Sequence, residues 1–257
     1  MTVPRIYFPK ELEKGRIEEI TGTNLRYIRD ILRLRKNDTL ILFGSGGMEY
    51  DAEIVDFQTK SIVVGVTRER RIPQAEIRVV LAQALPKGDK MDLIIQKAAE
   101  LGTTEVIPFI SSRSIPKFSD EKARQRVERW RKIAVEASRQ CGRADIPRIE
   151  EIVSYDNMLN GSDKGGLRLI FWEAEAGRGI KEILRDEKYG AVRDFFIAVG
   201  PEGGFSGEEV ARAERSGFLS TGLGRQILRV ETASLAILSI LQYERGILGS
   251  VKGTEEA

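Results

Sequence analysis

From about residue 76 onwards, apolar strand-like segments alternate with segments of helical periodicity. The strand-like segments are IRVVLAQAL (77–85), TEVIPFI (104–110), LRLIFWE (167–173) and DFFIAV (194–199), followed by a short FLSTGLG (218–224). The helical segments span 89–102, 120–141, 179–186, 207–216 and 232–245. Parallel strands need long crossover connections, which are usually helices, so this alternation predicts an α/β domain with a largely parallel sheet. General rules of chain connection favour an unknotted, doubly wound arrangement.

Residues 1–72 have a different pattern and are predicted to form a separate, β-rich domain. TLILF (39–43), MEYDAEIVDF (48–57) and SIVVGVT (61–67) alternate or are rich in β-branched residues, and FGSGGMEY (43–50) is typical of a hairpin turn. NLRYIRDILRL (24–34) has helical spacing, and RERRIPQ (68–74) is predicted to be a linker. The predicted domains are therefore 1–72 and 73–257.

The composition excludes several kinds of active site. The chain of 257 residues contains no histidine and one cysteine, Cys141. A Ser-His-Asp triad, a histidine base and a histidine-ligated zinc are therefore impossible, and no Asp-rich loop indicates another metal. A single cysteine excludes an internal disulfide, fits a reducing cytosol, and is expected to be a small buried residue. Because no apolar run reaches about 18 residues and no signal peptide is recognisable, we expect a cytoplasmic protein without a membrane span.

The positive charge is concentrated in two segments. The net charge is only +2, but residues 26–36 carry five basic side chains against one acid, and residues 122–143 carry eight against two. Such segments favour a localised surface for a polyanion, although a solvated helix face explains either segment equally well.

Two glycine-rich turns follow predicted strands. In IAVGPEGGFSGEEV (197–210), Ser206 and Glu209 have capping-box spacing, so a helix should begin directly after the loop. The loop matches neither a P-loop nor G-x-G-x-x-G, and a tight turn alone would need fewer glycines. In STGLGRQILRVETAS (220–234), Leu223 and Leu228 accompany a second turn. Both turns should lie at the carboxyl ends of strands, where they could form a slot better suited to an adenine than to a phosphate.

The helix predicted over 232–245 is apolar on nearly all faces. A helix of this kind is buried, either as an internal core helix or at a subunit interface.

The pair VGPEGGFSGEE and LGRQILRVETA resembles the signature of the ribosomal RNA small-subunit methyltransferase E family, which belongs to the SPOUT class. PRIYF (4–8), ILRLRKND (31–38), QKAAELG (96–102) and EASRQCGR (136–143) are also similar to family elements, and the resemblance covers essentially the whole chain in order. The sequence departs from the family at Arg26-Tyr27, where a histidine is frequent, at Asn37 in place of glycine, and at Ala99 in place of threonine.

This resemblance implies a particular fold and activity. It implies an N-terminal PUA-like β-barrel for RNA binding, and a SPOUT-type parallel sheet with a C-terminal trefoil knot. It also implies a homodimer that uses S-adenosylmethionine to methylate N3 of a specific uridine in 16S ribosomal RNA near the decoding region. The expected partner is that RNA or the small ribosomal subunit, with no metal.

The candidate site residues follow from the two signatures and from the chemistry. The cofactor-binding candidates are Gly200, Pro201, Gly203, Gly204, Leu223, Gly224, Ile227 and Leu228. Methylation of N3 requires loss of its proton and stabilisation of negative charge on the uracil ring, for which Arg139, Arg143 and Arg229 are candidates. Glu202 and Glu231 are candidates for a base or a cofactor-orienting group, although Glu231 is equally explained by the dipole of the following helix. The candidates for salt-sensitive RNA phosphate contacts are Arg5, Arg29, Arg33 and Arg35.

Two other functions compete with this hypothesis. One is a non-catalytic RNA-binding factor in ribosome assembly, which the presence of both glycine motifs disfavours. The other is an α/β enzyme that binds ATP or NAD instead of S-adenosylmethionine.

Overall fold

The computed structural model describes residues 3–44, 46–72, 76–114, 119–161 and 166–249. The chain divides into two compact units. The first unit comprises Met1–Gln74 together with Val135–Ile146, and the second comprises Ala75–Ala134 and Pro147–Ala257. The sequence-based division placed 135–146 in the second domain instead. Pro73 and Gln74 of the predicted linker, Ser45 of the predicted turn and the polar tail 251–257 lie outside the described residues.

The first unit contains a five-stranded sheet. Its strands are β1 (Arg5–Tyr7), β2 (Ile17–Ile20), β3 (Thr39–Phe43), β4 (Met48–Phe57) and β5 (Ile62–Arg71), in the spatial order β1-β3-β4-β5-β2. β1 and β3 are parallel, and the other pairs are antiparallel. Between β2 and β3, α1 (Gly22–Arg26) continues into a π-helical turn, Tyr27–Ile31. Since β1 and β2 form the two edges of the sheet, its closure into a PUA-like barrel stays a prediction.

The predicted linker is wrong for its first four residues, because β5 continues to Arg71 and pairs with β4 along this stretch. The strand here leaves the apolar core, so its side chains no longer alternate between polar and apolar. Cross-strand charge pairs accompany the main-chain ladder instead, with Arg70 Nη2 lying 2.7 Å from Asp51 Oδ1. The core of this unit lies where the alternation is clear, and Leu40, Leu42 and Ile54 are fully buried there.

The second unit confirms the predicted α/β class with a parallel sheet. Its strands are β6 (Arg78–Ala84), β7 (Glu105–Ile110), β8 (Arg148–Ile149), β9 (Val153–Ser154), β10 (Leu167–Phe171), β11 (Asp194–Val199) and β12 (Leu219–Thr221). All pairs are parallel, in the order β12-β10-β11-β6-β7-β8, and β9 pairs with β7. The helices are α2 (Lys90–Glu100), α3 (Asp120–Cys141), α4 (Tyr155–Gly161), α5 (Ile180–Arg185), a 3₁₀ turn (Glu187–Tyr189), α6 (Gly207–Arg215) and α7 (Val230–Glu244).

The two central strands, β6 and β11, are buried along almost their whole length, as is typical of a parallel sheet covered on both faces. Helix α2 buries Met91, Ile94 and Ile95, and Gly102 ends it with a φ of +81°. Within the described ranges, no helix is long and apolar enough to cross a membrane.

Helix α3 carries the predicted apolar stripe, but the stripe ends before the last turn. Trp130 is buried, and its indole Nε1 donates a 3.0 Å hydrogen bond to Asp92. The prediction that Cys141 is buried is wrong, because this residue is exposed at the end of the helix. Its helical phase is correct, but burial along the helix ends at Ser138, and Cys141 lies beyond that point.

Candidate active site

The first glycine loop is a compact connection from β11 to α6. Gly204 has a φ of +65°, a conformation that favours glycine, and its amide donates a 2.9 Å hydrogen bond to the carbonyl of Pro201. A Cβ on Gly200 would lie only 3.2 Å from the Gly204 backbone. The predicted capping box is confirmed: Ser206 Oγ accepts from the Glu209 amide at 3.2 Å, and Glu209 Oε2 accepts from the Ser206 amide at 2.9 Å.

The second glycine loop leaves β12 and leads to α7. Gly222 is held on both sides, because its amide donates to Arg178 and its carbonyl accepts from Ile180. Beyond it, no backbone amide from Leu223 to Arg229 donates a hydrogen bond to another group in the part of the chain that the structure describes. Residues 224–227 and 229 are exposed, so these amides face solvent and are accessible donors for a ligand.

The two loops enclose one cavity at the carboxyl ends of β10 and β11. Its volume is about 480 Å³. The lining comprises Lys90, Phe171, Trp172, Glu173, Val199, Gly200, Pro201, Glu202, Gly203, Gly204, Gly222, Leu223, Gly224, Arg225, Gln226, Ile227, Leu228, Arg229, Val230 and Ala233. All eight residues predicted to contact the cofactor are in this set, as are Glu202 and Arg229. Their roles in binding and catalysis stay predictions.

Lys90, which the sequence analysis did not single out, organises the acidic side of the cavity. Its Nζ lies 2.8 Å from Glu202 Oε1 and 3.5 Å from Glu231 Oε2. The hydrogen bond to Glu202 raises the pKa of Lys90 above its ordinary value, and the charges of Glu202 and Glu231 add to this. Glu202 also accepts from the Lys87 amide at 3.1 Å. Helix α2 therefore fixes the glycine loop through this carboxylate.

The pKa of Glu202 bears on its predicted role. Burial alone would raise this pKa, but the hydrogen bonds from Lys90 and from the amides of Glu202 and Lys87 outweigh it, and the net shift is downward. A carboxylate with a lowered pKa is a weaker base, so the structure favours the orienting role over the base for Glu202.

Gln83, which sequence reasoning missed, joins the first glycine loop to α7. It is fully buried, accepts from Ser234 Oγ at 2.6 Å, and donates from Nε2 toward the Gly200 carbonyl at 3.4 Å. A glutamine within an otherwise apolar strand, IRVVLAQAL, is the signal that could have identified it, because a buried amide needs specific partners.

A second contact missed by sequence reasoning ties the loop after β7 to the glycine loop. Arg113 Nη1 donates a 2.7 Å hydrogen bond to the Gly203 carbonyl, and the Ser112 amide donates to Glu209 Oε1 at 2.8 Å. The buried Glu209 thus caps α6 and holds the neighbouring loop at the same time.

Two of the candidates for the uracil contact, Arg139 and Arg143, belong to the first unit. Arg139 stacks on the ring of Tyr27, with 4.4 Å between its Cζ and the ring centroid, and it pairs with Glu136. Arg143 pairs with Asp145 at 2.6 Å and has a side chain only 14% exposed. Both guanidinium groups are therefore already engaged in local contacts.

The four candidates for RNA contacts differ in exposure. Arg29, Arg33 and Arg35 are exposed on the π-helical turn and the segment that follows it. Arg5 instead pairs with the buried Glu49, donates a 2.7 Å hydrogen bond to the Arg143 carbonyl, and lies over the Phe43 ring. Its guanidinium packs inside the first unit, so Arg5 is a poor candidate for a phosphate contact.

Comparison with known proteins places this geometry in a family. Residues 73–242 match the model of the RNA methyltransferase domain. A ribosomal RNA small subunit methyltransferase E from Bacillus subtilis is 34% identical over 250 residues, which cover 93% of this chain and 96% of the relative. The chain belongs to the ribosomal RNA small-subunit methyltransferase E family. A second member of the family, from Rickettsia conorii, is 32% identical over 256 residues, covering 97% of this chain and 98% of the relative.

The fold agrees with this assignment. A crystal structure of ribosomal RNA small subunit methyltransferase E from Neisseria gonorrhoeae bound to S-adenosyl methionine superposes with a TM-score of 0.84 at 30% identity, covering 94% of this chain and 98% of that chain. The resemblance noted from the sequence motifs is thereby confirmed at the level of the family, and the second unit carries the family's α/β fold.

Proposed function

We propose that this chain transfers the methyl group of S-adenosylmethionine to N3 of a specific uridine in 16S ribosomal RNA, near the decoding region. The observation that carries the proposal is the cavity between the two glycine loops, with its run of amides from Leu223 to Arg229 that have no partner among the described residues. Membership of the methyltransferase E family supports the reaction class.

The residues of the cavity fit this cofactor. A volume of about 480 Å³ is in the range of small-molecule sites. At Gly200 and Gly204 there is no room for a side chain, so the backbone at these two positions can approach a ligand closely. Leu223 and Leu228 offer apolar walls for an adenine, and the amides beside them, which have no partner in the described part of the chain, offer donors for its nitrogens and for a carboxylate. When bound, the cofactor would supply an electrophilic methyl group on a sulfonium.

Among the candidate arginines, Arg229 is the one in the cavity lining, and we assign it to the target uracil. As N3 loses its proton, negative charge spreads to the ring oxygens, where a guanidinium would stabilise it. Glu202, held by Lys90 and the Lys87 amide, orients the glycine loop. Glu231, whose side chain is 18% exposed beside Lys90, is the remaining candidate to accept the N3 proton.

Four further features of the proposal concern the architecture and location. The second loop runs past Arg178 and Ile180 before α7 packs against α2 and α5, which supports a C-terminal trefoil knot formed by threading beside residues 172–179.

Ala236 and Ile240 are half-buried on α7, and Tyr243 is 63% exposed, which supports a homodimer through this helix face. We also propose that the first unit is a PUA-like RNA-binding barrel and that the protein acts in the cytoplasm.

The decisive experiment is methyl transfer from radiolabelled S-adenosylmethionine to small ribosomal subunits that lack the modification, and in parallel to free 16S RNA. Nuclease digestion followed by mass spectrometry should identify 3-methyluridine at one site. A methyl group on another atom or another nucleotide would contradict the assignment of N3.

Variants separate the proposed roles. Arg229→Ala should lower the rate of methyl transfer by at least tenfold without loss of cofactor binding, whereas Arg193→Ala, an exposed arginine of the second unit that is absent from the cavity lining, should not. Arg29→Ala and Arg35→Ala should weaken RNA binding and reduce its salt dependence, because phosphate contacts release counterions. Arg139→Ala and Arg143→Ala test the two remaining arginine candidates in the same assays.

The competing functions predict different results. A non-catalytic assembly factor would bind the subunit but transfer no methyl group. An ATP- or NAD-dependent enzyme would be stabilised in a thermal-shift assay by those nucleotides and not by S-adenosylmethionine. Light scattering in solution tests the homodimer.

A further inference from the structure

Three carboxylates lie in or beside the cavity wall, and among the residues that the structure describes only one of the three is without a counter-charge. Glu202 and Glu231 both lie within 3.5 Å of Lys90 Nζ. Glu173, at the end of β10, lines the same cavity. Within the described ranges, its carboxylate has no hydrogen bond and no ion pair.

The position of Glu173 is set by the glycine loop. A Cβ built on Gly204 would collide with the Glu173 carboxylate, so the two residues are in direct contact across the cavity wall. The missing side chain of Gly204 thus makes the space in which this carboxylate lies. Glu173 is exposed, and among the residues that the structure describes its negative charge has no partner beside the place where a ligand of the two glycine loops would be bound.

From this arrangement we infer that Glu173 recognises the positive charge of the cofactor and thereby sets its specificity for adenosine derivatives that carry a cationic group over those that carry none. The inference rests on the proposed function, since it assumes that the cavity binds S-adenosylmethionine. That molecule carries two cationic groups, a sulfonium and an ammonium, and either one would provide the counter-charge that no described residue supplies to Glu173. The ammonium of Lys90 is already shared by Glu202 and Glu231.

The test is calorimetric titration of the cofactor-free protein and of Glu173→Gln with three ligands. S-adenosylmethionine has both cationic groups, S-adenosylhomocysteine keeps the ammonium alone, and 5′-methylthioadenosine has neither. The glutamine keeps the size and the contact with Gly204 and removes only the charge. We expect the affinity for S-adenosylmethionine to fall roughly tenfold or more, as for loss of a hydrogen bond to a charged group, while that for 5′-methylthioadenosine stays within about twofold.

The third ligand distinguishes the two cationic groups. If S-adenosylhomocysteine loses as much affinity as S-adenosylmethionine, Glu173 binds the ammonium; if it loses none, Glu173 binds the sulfonium. Both results support the inference. An equal loss for all three ligands would show a contact with the ribose or a change in loop shape, and would overturn it, as would no loss for any.

Glu187→Gln is the matched control, because Glu187 is exposed, is absent from the cavity lining, and loses the same charge. Its affinities should equal those of the unchanged protein. The outcome is also separable from failure of the proposed function, since in that case the unchanged protein would not bind S-adenosylmethionine at all.

Discussion

Substitution of Gly204 by alanine should destabilise the protein, whereas the same change at Gly207, three residues further on, should not. Gly204 has a φ of +65°, and alanine in that conformation costs about 1–2 kcal/mol. Gly207 begins α6 without a positive φ, and a Cβ there would meet no atom within 4 Å. Alanine is favoured over glycine in a helix by about 0.5–1 kcal/mol.

The expected difference between the two variants is therefore about 1.5–3 kcal/mol in the free energy of unfolding. For a chain of this length, that corresponds to a difference of roughly 3–12 °C in melting temperature. Gly204→Ala would also push the Glu173 carboxylate out of the cavity wall, so its affinity for S-adenosylmethionine should fall while that of Gly207→Ala is retained. Equal melting temperatures for the two variants in differential scanning calorimetry would refute the account of this loop.

Three other substitutions test the interactions around the cavity. The pKa of Glu202 is lowered in the folded state, so its ionised form stabilises the protein above the unfolded pKa, and this stabilisation is lost as pH falls through the folded pKa. Between about pH 6 and pH 3, the urea midpoint should therefore drop more for the unchanged protein than for Glu202→Gln. Parallel curves for the two proteins would contradict this. Ser206→Ala removes the capping box of α6 and should lower the free energy of unfolding by about 1 kcal/mol in urea titrations, an effect whose absence would argue against the cap. Gln83→Leu leaves the Gly200 carbonyl and Ser234 Oγ without this partner. It should therefore lower the free energy of unfolding by about 2–3 kcal/mol and weaken the binding of S-adenosylmethionine in calorimetry. An unchanged affinity would show that Gln83 does not position the glycine loop.

The sequence predicted the second unit better than the first because its signals are longer. The bounds of α3 and β11 agree with the prediction, since helical and buried-strand periodicities persist over many residues there. The short strands β1, β2, β8 and β9 were not predicted, because two to four residues hold no periodicity to read. The charged end of β5 was taken for a linker because its stability comes from pairing with β4, which no local pattern encodes.

The two glycine loops of the candidate site could be predicted, whereas its remaining walls could not. The backbone conformations and close backbone contacts of these loops require glycine, and these glycines are visible in the sequence. Lys90, Trp172 and Glu173 reach the cavity only through the order of strands in the sheet and the packing of α2. The chain contains many other lysines and glutamates, and Lys90 and Glu173 do not differ from them in residue type. Only their tertiary placement makes them part of the cavity, so the sequence alone could not identify them.

The discontinuity of the first unit has a consequence for dissecting the molecule. A fragment cut at residue 72 would lack Val135–Ile146 and with it the partners of two of its own side chains, Tyr27 and Arg5. The aromatic ring would lose the guanidinium of Arg139, and the Arg5 guanidinium would lose a carbonyl acceptor. The first unit is therefore complete only when Val135–Ile146 is present. During synthesis, more than half of the polypeptide must be made before this segment is available to the unit.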